Sequence, residues 1–297
     1  AVRMYAPAEP SSILYALDNI SQELQDDVVQ ALLSLSLLTG NLGRESAGIF
    51  PLRRGANEQG AWDVGCVPDF LPGYKMVSDS NSRQSFSDRW NVEVPSDPGL
   101  DIHTTFKKAK LGQIKAMFVV GDSPNFSNGE LGDASAVFES LEFLVVQDSF
   151  LGTSSQYADV VFPRLVFAEK SGTYTNLERR VQLLKPVLQP RNNSSKSEST
   201  VFTDLAKAMD VTGFEFDSSA DVMDEIAGFV PFYGGISHKR LETEGQLVFR
   251  PDMSNPMPTQ ILYSDRVLSG LQWPCPDSNN KGTSILYADG FPNGKAQ

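Results

Sequence analysis

The stretch that decides the fold begins with "IKAMFVVGDSP" at residues 114–124. A second apolar run, "LEFLVVQDSF", occupies residues 141–150, and a third, "ADVVFP", occupies residues 158–163. The segment between the first two, "ELGDASAVFES", has the apolar spacing of a helix. Continuous apolar runs joined by a helix are typical of parallel strands buried on both faces. The stretch therefore predicts a doubly wound α/β segment with a parallel sheet.

Polar groups follow the first two predicted strands. The first strand ends in Gly121, Asp122 and Pro124, and the second ends in Gln147 and Asp148. Ligands of such sheets bind at the carboxyl ends of the strands, where an acidic residue can hold a ribose or the edge of a nucleobase. Capping of the following helices is the alternative role. Since neither GxGxxG nor GxxxxGK[ST] is present, a nucleotide-type ligand would be bound in another way.

Composition narrows the class of protein. The 297 residues suggest one large or two ordinary domains, and the net charge of -12 argues against nucleic acid as a partner. No apolar run reaches the about 20 residues that a membrane-spanning helix needs. The only cysteines, Cys66 and Cys275, are too few for an iron–sulfur cluster. We expect free thiols in a reducing compartment, with one disulfide as the alternative, and no metal ligands in this chain.

The flanking segments give coarser predictions. The run "DDVVQALLSLSLLTGNLG" predicts a buried helix with Asp26 as its N-cap, and the polar residues 78–101 predict a loop insertion. Two amphipathic helices are predicted near residues 201–210 and 219–229. The turn-rich tail from residue 235 is interpreted as a connector.

Residues 168–186, "AEKSGTYTNLERRVQLLKP", alternate around Gly172 as a hairpin or bent loop would. Thr173, Thr175 and Asn176 offer hydroxyl and amide groups. Two adjacent arginines follow, and their guanidinium groups suit bidentate contact with phosphate or carboxylate. On spacing alone, a surface hairpin with exposed charges is the favoured alternative.

Four long stretches together resemble a known family. They are "LLTGNLGRESAGIFPLRRGANEQGAWDVGCVPDFLPGY", "IKAMFVVGDSP", "LEFLVVQDSFLGTSSQYADVVFPRLVFAEKSGTYTNLERRVQ" and the ending "GLQWPCP" with "GTSILYADGFPNGKA". In order and spacing they resemble the molybdopterin oxidoreductase family, which includes DMSO reductase. The most similar branches are the formate dehydrogenase alpha (catalytic) subunit and the related large iron–sulfur subunit of NADH:quinone oxidoreductase (complex I).

The resemblance implies a fold and a domain organisation. Residues 1–53 would be the tail of one Rossmann-like pterin-binding domain, residues 54–234 a second such domain, and residues 235–297 a loop-rich connector toward a missing carboxy-terminal barrel. The 4Fe-4S domain and the metal-ligating Cys or selenocysteine of the family would precede residue 1. The chain would thus be an internal piece of a longer protein, and we expect this piece alone to be inactive.

The resemblance also implies a cofactor, bis-molybdopterin guanine dinucleotide with Mo or W, held between two Rossmann-like domains. Asp148 would meet the edge of the guanine, and Thr173, Thr175 and Asn176 would lie nearby. The residues that would line the dinucleotide part of one pterin are Gly121, Asp122, Pro124, Gln147, Asp148 and Thr153.

Residues 51–65, "PLRRGANEQGAWDVG", align with the family pattern "PLRGQNNVQGACDMG". Arg53 matches the arginine that in formate dehydrogenases faces the metal and the substrate carboxylate. Asn57, Gln59 and Gly60 also match, and are expected beside the cofactor. The chain departs from the pattern after Arg53, where Arg54, Gly55 and Ala56 replace Gly-Gln-Asn, and at Trp62, which replaces Cys.

Two functions follow from the resemblance. The first is formate oxidation to carbon dioxide, with two electrons passed through iron–sulfur clusters and partner subunits to NAD or a quinone-linked acceptor. The second is an electron-transfer or structural role in a complex I-like assembly whose pterin site is vestigial. An α/β binding protein is a third alternative. We expect a cytoplasmic protein without a direct membrane span, with attachment to a membrane complex left open.

Overall fold

The computed structural model describes residues 2–17, 20–121, 134–191, 194–243, 270–291 and 294. The chain divides into two compact units. Unit 1 comprises Ala1–Asp63, Thr173–Leu183 and Ile226–Gln297, and unit 2 comprises Val64–Gly172 and Leu184–Glu225. This division does not test the predicted pterin-binding domains, which stay predictions. No described helix is both long and apolar enough to cross a membrane.

The chain is mixed α/β, with parallel pairing in two small sheets. The helices are α1 (Val2–Tyr5), α2 (Gln22–Leu38), α3 (Glu58–Asp63), α4 (Ser80–Trp90), α5 (Ile102–Lys110), α6 (Ala134–Glu139), α7 (Glu198–Ala208), α8 (Ser219–Phe229) and α9 (His238–Thr243). The strands are β1 (Ser12–Tyr15), β2 (Gly48–Pro51), β3 (Phe70–Leu71), β4 (Lys75–Met76), β5 (Ala116–Val120), β6 (Phe143–Asp148), β7 (Val160–Pro163), β8 (Gly172–Thr175), β9 (Arg180–Leu184) and β10 (Leu271–Gln272).

Unit 2 is built around a three-stranded sheet in the order β5-β6-β7. All its pairs are parallel, with Phe118 opposite Val145 and Val145 opposite Val160. The predicted parallel strands are therefore confirmed. Helices α5 and α6 cover one face of the sheet, and the buried side chains of this core are Phe106, Ala109, Val119, Ala134, Val137, Phe138, Leu144 and Val146.

The opposite face of this sheet carries α7. The ring of Phe118 on β5 lies 5.4 Å from that of Phe202 on α7 and 6.4 Å from that of Phe162 on β7. A cavity of about 630 Å³, lined mostly by apolar side chains, lies between α7 and the strands. Helices thus lie against both faces of the sheet, but all four residues of β7 are exposed. The prediction of strands buried on both faces is therefore wrong for β7.

Unit 1 contains a parallel pair, β1 and β2, in which Tyr15 lies opposite Pro51. Helix α2 connects the two strands, as a crossover between parallel strands requires. The chain continues the pairing one residue beyond β2, because the Leu52 N–H donates to the Tyr15 carbonyl at 2.7 Å. The loop that carries Arg53 therefore starts at the carboxyl end of both strands.

A second sheet in unit 1 has the order β10-β9-β8. The hairpin predicted in residues 168–186 is present, but the chain does not turn at Gly172, which begins β8. The turn is closed four residues later, where the Asn176 N–H donates to the Arg180 carbonyl at 3.0 Å. Strand β10 from the tail then pairs with β9, with Leu271 opposite Val181.

Three local predictions were wrong. Helix α2 is not buried, since Ser36 is the one buried residue among its described side chains and Leu24, Leu33 and Leu38 are exposed. Ser21 holds the N-cap position of α2, so Asp26 lies inside the helix. The true start was missed because the first turn of α2 is polar and shows no apolar periodicity.

The segment interpreted as a loop insertion contains α4, whose N-cap Asp79 accepts from the Ser82 N–H at 2.8 Å. Helix α4 buries only Phe86, so too few apolar positions recur for its period to be recognised. The helices predicted near residues 201–210 and 219–229 are confirmed as α7 and α8.

Candidate functional site

The candidate site in unit 1 is the loop between β2 and α3. It leaves the carboxyl ends of two parallel strands, the edge at which α/β sheets bind ligands. Arg53 stands two residues after β2, and its side chain is 21% exposed. Its Nη1 lies 3.3 Å from Oε1 of Glu58, and its Cζ lies 4.2 Å from the centre of the Trp62 ring. The loop thus presents a guanidinium held from two sides.

Arg53 retains a donor for a further partner. Its Nε is buried and has no hydrogen-bond acceptor among the described residues.

Burial raises the pKa of the Tyr15 hydroxyl, and the positive charge of Arg53 opposes that rise. Tyr15 ends β1, so a hydroxyl and a guanidinium share this edge of the β1–β2 pair.

Asp63, the last residue of α3, is fully buried and forms the centre of a polar network. Its Oδ2 accepts from the hydroxyl of Tyr233 at 2.7 Å and from Nε1 of Trp273 at 2.9 Å. Its Oδ1 accepts from Nε2 of Gln59 at 2.8 Å. These bonds satisfy a buried carboxylate, and they fix α3 to two segments far along the chain.

The network extends to the hairpin through Thr175. Oδ1 of Asn57 accepts from the Thr175 N–H at 2.8 Å, and the Thr175 hydroxyl lies 3.0 Å from that of Tyr233. Because the Tyr233 proton is donated to Asp63, the Thr175 hydroxyl is the donor in that pair. A Cβ at Gly60 would lie 2.3 Å from Oδ1 of Asn57, so a larger residue there would displace the Asn57 side chain from Thr175. The structure thus brings together Asn57, Gln59, Gly60 and Thr175.

The other predicted residues of the hairpin have different surroundings. Oδ1 of Asn176 accepts from the N–H groups of Glu178 and Arg180, at 2.9 and 3.0 Å, and so shapes the turn. Thr173 lies within β8. The prediction of exposed charges is wrong for Arg180, which is 6% exposed and lies 3.5 Å from Glu178. Arg179 donates to main-chain carbonyls of the tail, at Trp273, Thr283 and Ser284.

A separate polar edge lies in unit 2, at the carboxyl ends of β5, β6 and β7. The Gly121 N–H donates to the Gln147 carbonyl at 2.9 Å, and the Arg164 N–H donates to the Asp148 carbonyl at 2.9 Å. The Gln147 side chain is fully buried, and its Nε2 donates to the Lys196 carbonyl at 3.2 Å. Its Oε1 has no donor within the described ranges. The predicted trio Gly121, Gln147 and Asp148 is therefore assembled at one edge.

Three further predicted residues belong to this part of the chain. Thr153 precedes a short 3-10 helix, Ser154–Gln156, that follows β6. Asp122 and Pro124 lie outside the described residues. Gly121 has φ +77°, a conformation that favours glycine, and a Cβ there would lie 3.1 Å from Nη1 of Arg164.

Sequence reasoning missed a charged cluster beside this edge, composed of Arg164, Lys170 and Glu198. Oε1 of Glu198 lies 2.6 Å from both Nη2 of Arg164 and Nζ of Lys170. Burial acts to raise the pKa of Glu198, but the hydrogen bond from Lys170 and the two positive charges outweigh it and hold the pKa below its usual value. One feature of the sequence could have indicated this cluster, namely the position of Arg164 directly after the third apolar run.

Replacing Glu198 with glutamine is expected to lower the free energy of unfolding by about 1–2 kcal/mol near neutral pH. Since the pKa of Glu198 is depressed in the folded state, this stabilisation is present above the unfolded pKa and is lost as the pH falls through the folded pKa. The difference between wild type and variant should therefore shrink in acid. Denaturant titrations across the acid range measure it.

Glu142→Gln is the matched control, since its ion pair with Lys115 is exposed and its loss should cost little. A gap between wild type and Glu198→Gln that stayed constant with pH would contradict the assigned role of the ionised carboxylate.

Comparison with known proteins decides the family. The family model described as molybdopterin oxidoreductase matches residues 7–208. The chain belongs to the molybdopterin oxidoreductase family. The family implies a molybdopterin cofactor that carries Mo or W. Among the described residues, no three His, Cys, Asp or Glu side chains form a group that could hold a metal ion.

The similar relatives of this molybdopterin oxidoreductase chain include formate dehydrogenases. It is 36% identical over 284 residues to the probable oxidoreductase YjgC of Bacillus subtilis. The aligned region is 96% of this chain and 28% of that protein. It is 33% identical to the F420-dependent formate dehydrogenase subunit alpha of Methanocaldococcus jannaschii, over 98% of this chain and 39% of that protein. With formate dehydrogenase H of Escherichia coli the identity is 31%, over 100% of this chain and 39% of that protein.

This molybdopterin oxidoreductase chain therefore spans between 28% and 39% of the length of these relatives. Among solved structures, acetylene hydratase from Pelobacter acetylenicus matches 54% of the chain and 23% of its own length, with a TM-score of 0.40 and 16% identity.

Proposed function

We propose that this chain is the central part of the catalytic subunit of a molybdopterin-dependent formate dehydrogenase. The reaction converts formate to carbon dioxide and releases one proton and two electrons. The observation that carries the proposal is the position of Arg53, on a loop that aligns with the formate dehydrogenase pattern and leaves the carboxyl edge of the β1–β2 pair. Its buried Nε has no acceptor among the described residues, so the chain does not fill the hydrogen-bonding capacity of this guanidinium.

The chemistry of the donor set fits the cofactor. We propose a Rossmann-like, doubly wound arrangement in which Gly121, Gln147 and Asp148 hold the dinucleotide part of bis-molybdopterin guanine dinucleotide, with Asp122, Pro124 and Thr153 beside them. The buried Oε1 of Gln147 can accept an N–H from a base, and the carboxylate of Asp148 can accept from the guanine edge. When bound, the metal and pterin supply the redox chemistry.

The residues of unit 1 have two proposed roles. Arg53 binds the carboxylate of formate and orients its C–H bond, since a guanidinium contacts two oxygens in a fixed plane. Asn57, Gln59, Gly60, Thr173, Thr175 and Asn176 are proposed to line the pterin. The buried network around Asp63 keeps α3 and the hairpin in fixed positions, which is the rigid support that a binding site requires.

The electron-transfer components of the enzyme are proposed to belong to the longer protein and its partners. That protein would contain a 4Fe-4S cluster before residue 1 and would pass electrons to partner subunits, in the cytoplasm or at a membrane complex. The isolated piece is expected to be inactive, because the residue that would ligate the metal is proposed to belong to the longer protein. The complex I-like alternative is less favoured, since the relatives named above include formate dehydrogenases and none is a complex I subunit.

The test uses the purified full-length protein. Elemental analysis for Mo and W, pterin quantification after oxidation, and formate oxidation coupled to a viologen dye are measured on the same sample. We expect about two pterins per metal atom, as a bis-molybdopterin cofactor requires, together with formate-dependent dye reduction. Absence of metal and pterin would refute the catalytic proposal and favour the vestigial alternative. Full loading without formate turnover would refute formate as the substrate.

A further inference from the structure

Two residues of α3 depart from the family pattern and contact the same guanidinium. In the alignment of residues 51–65, Glu58 stands where the pattern has Val, and Trp62 stands where it has Cys. They are four residues apart in α3, which places both side chains on one face of the helix. That face meets Arg53, since Glu58 contacts Nη1 and the guanidinium carbon lies over the Trp62 ring.

We propose that Glu58 is an internal carboxylate that occupies Arg53 until a substrate carboxylate displaces it, and that Trp62 holds the guanidinium in place during the exchange. This inference rests on the proposed function for its substrate, a small monocarboxylate such as formate. Glu58 then sets the affinity for the substrate, and Trp62 is a positioning residue.

The contact between Glu58 and Arg53 has the properties of a displaceable one. Its distance of 3.3 Å is longer than the roughly 2.7–2.9 Å of strong charge-assisted hydrogen bonds, and the pair is not bidentate. The Glu58 side chain is 33% exposed, so water reaches it and the carboxylate can leave without a large desolvation cost. The other carboxylate oxygen lies 3.4 Å from the Gly55 N–H, which is also a weak contact.

The contact with Trp62 is not a hydrogen bond. It draws on the charge of the guanidinium and the face of the ring, whereas carboxylates bind the N–H groups of the guanidinium. Cζ of Arg53 lies 4.2 Å from the ring centre, within the range of a cation–π contact. Trp62 can therefore stay in contact while Glu58 is exchanged for substrate.

Glu58→Gln and Glu58→Val are tested in the full-length protein, the second restoring the residue of the family pattern. We expect the KM for formate to fall about tenfold in both, with kcat changed less than about twofold, because a negative charge next to the bound carboxylate is removed. Glu45→Gln, an exposed loop glutamate, is the matched control and should leave KM unchanged.

A second measurement does not depend on turnover. Phenylglyoxal labels accessible arginines, and mass spectrometry of the peptide that contains Arg53 gives the fraction labelled at each formate concentration. Formate should protect Arg53 in the wild type, and half-protection should require about tenfold less formate in Glu58→Gln.

The two measurements separate this inference from the proposed function. If the wild type oxidises formate but both Glu58 variants keep the wild-type KM and protection curve, the inference is wrong and the function stands. If no turnover occurs but formate protects Arg53 more tightly in the variants, the inference stands and the function fails. If formate neither reacts nor protects Arg53, both fail.

Trp62 is tested with Trp62→Cys and Trp62→Phe. Trp62→Cys should raise the KM for formate about tenfold, and Trp62→Phe should recover most of that loss, because a phenyl ring still offers a face to the guanidinium. Equal effects of the two substitutions on KM, or no effect of either, would contradict the positioning role.

Discussion

Replacing Arg53 with alanine in the full-length protein is expected to lower kcat/KM for formate by about 10³-fold, while metal and pterin contents stay within about twofold of the wild type. The guanidinium of Arg53 is a cationic group that the loop places at the edge of the β1–β2 pair, and its Nε has no acceptor among the described residues. Its loss removes both the charge and the fixed orientation of a bound carboxylate. Steady-state kinetics with a viologen dye measure the effect.

Arg53→Lys separates charge from geometry, since an ammonium keeps the charge but not the planar fork. Its loss of kcat/KM should lie between those of the wild type and the alanine variant. Arg44→Ala is the matched control, because Arg44 pairs at the surface with Glu9 and is 40% exposed. Turnover that survives Arg53→Ala unchanged would remove Arg53 from the proposed mechanism.

Replacing Asp63 with alanine is expected to destabilise the protein by about 3–5 kcal/mol. The carboxylate is fully buried and accepts from Tyr233, Trp273 and Gln59. Its removal leaves the buried Tyr233 hydroxyl and two partly buried donors, of Trp273 and Gln59, without that acceptor, and opens a cavity in the same place. Denaturant unfolding of the full-length protein, followed by tryptophan fluorescence, measures the loss.

Two further variants serve as comparisons for the stability of Asp63→Ala. Asp97→Ala, at an exposed loop position, should change stability by less than about 0.5 kcal/mol. Tyr233→Phe removes one donor to Asp63 and one acceptor for Thr175, and should cost about 1–3 kcal/mol. If Asp63→Ala were no more harmful than Asp97→Ala, the network would have no structural importance.

Much of the sheet of unit 2 could be predicted from the sequence. Strands β5, β6 and β7 coincide with three apolar runs, the pattern that is typical of parallel sheets, although all four residues of β7 are exposed. The convergence of Gly121 and Gln147 at one edge followed from the same pattern, since carboxyl ends of parallel strands meet. Helix α4 escaped prediction, because a helix that buries one side chain carries almost no periodic signal.

The candidate site was predictable in its residues and not in its contacts. The alignment of residues 51–65 with the family pattern singled out Arg53, Asn57 and Gly60. It gave no indication that Glu58 and Trp62 contact Arg53, because their contact depends on how the short helix α3 meets the loop before it. Arg164 was missed for a similar reason, since its partner Glu198 lies 34 residues away.

The sequence by itself determined the family, the parallel strands and the loop that carries Arg53, because apolar runs and an aligned motif are local properties of the chain. Only the tertiary structure decided which polar groups pair. The hydrogen bonds of Asp63 with Tyr233 and Trp273 join residues 170 and 210 positions apart. Such pairs form because buried polar groups need hydrogen-bond partners. No local sequence pattern predicts which distant residues the fold of the chain brings together.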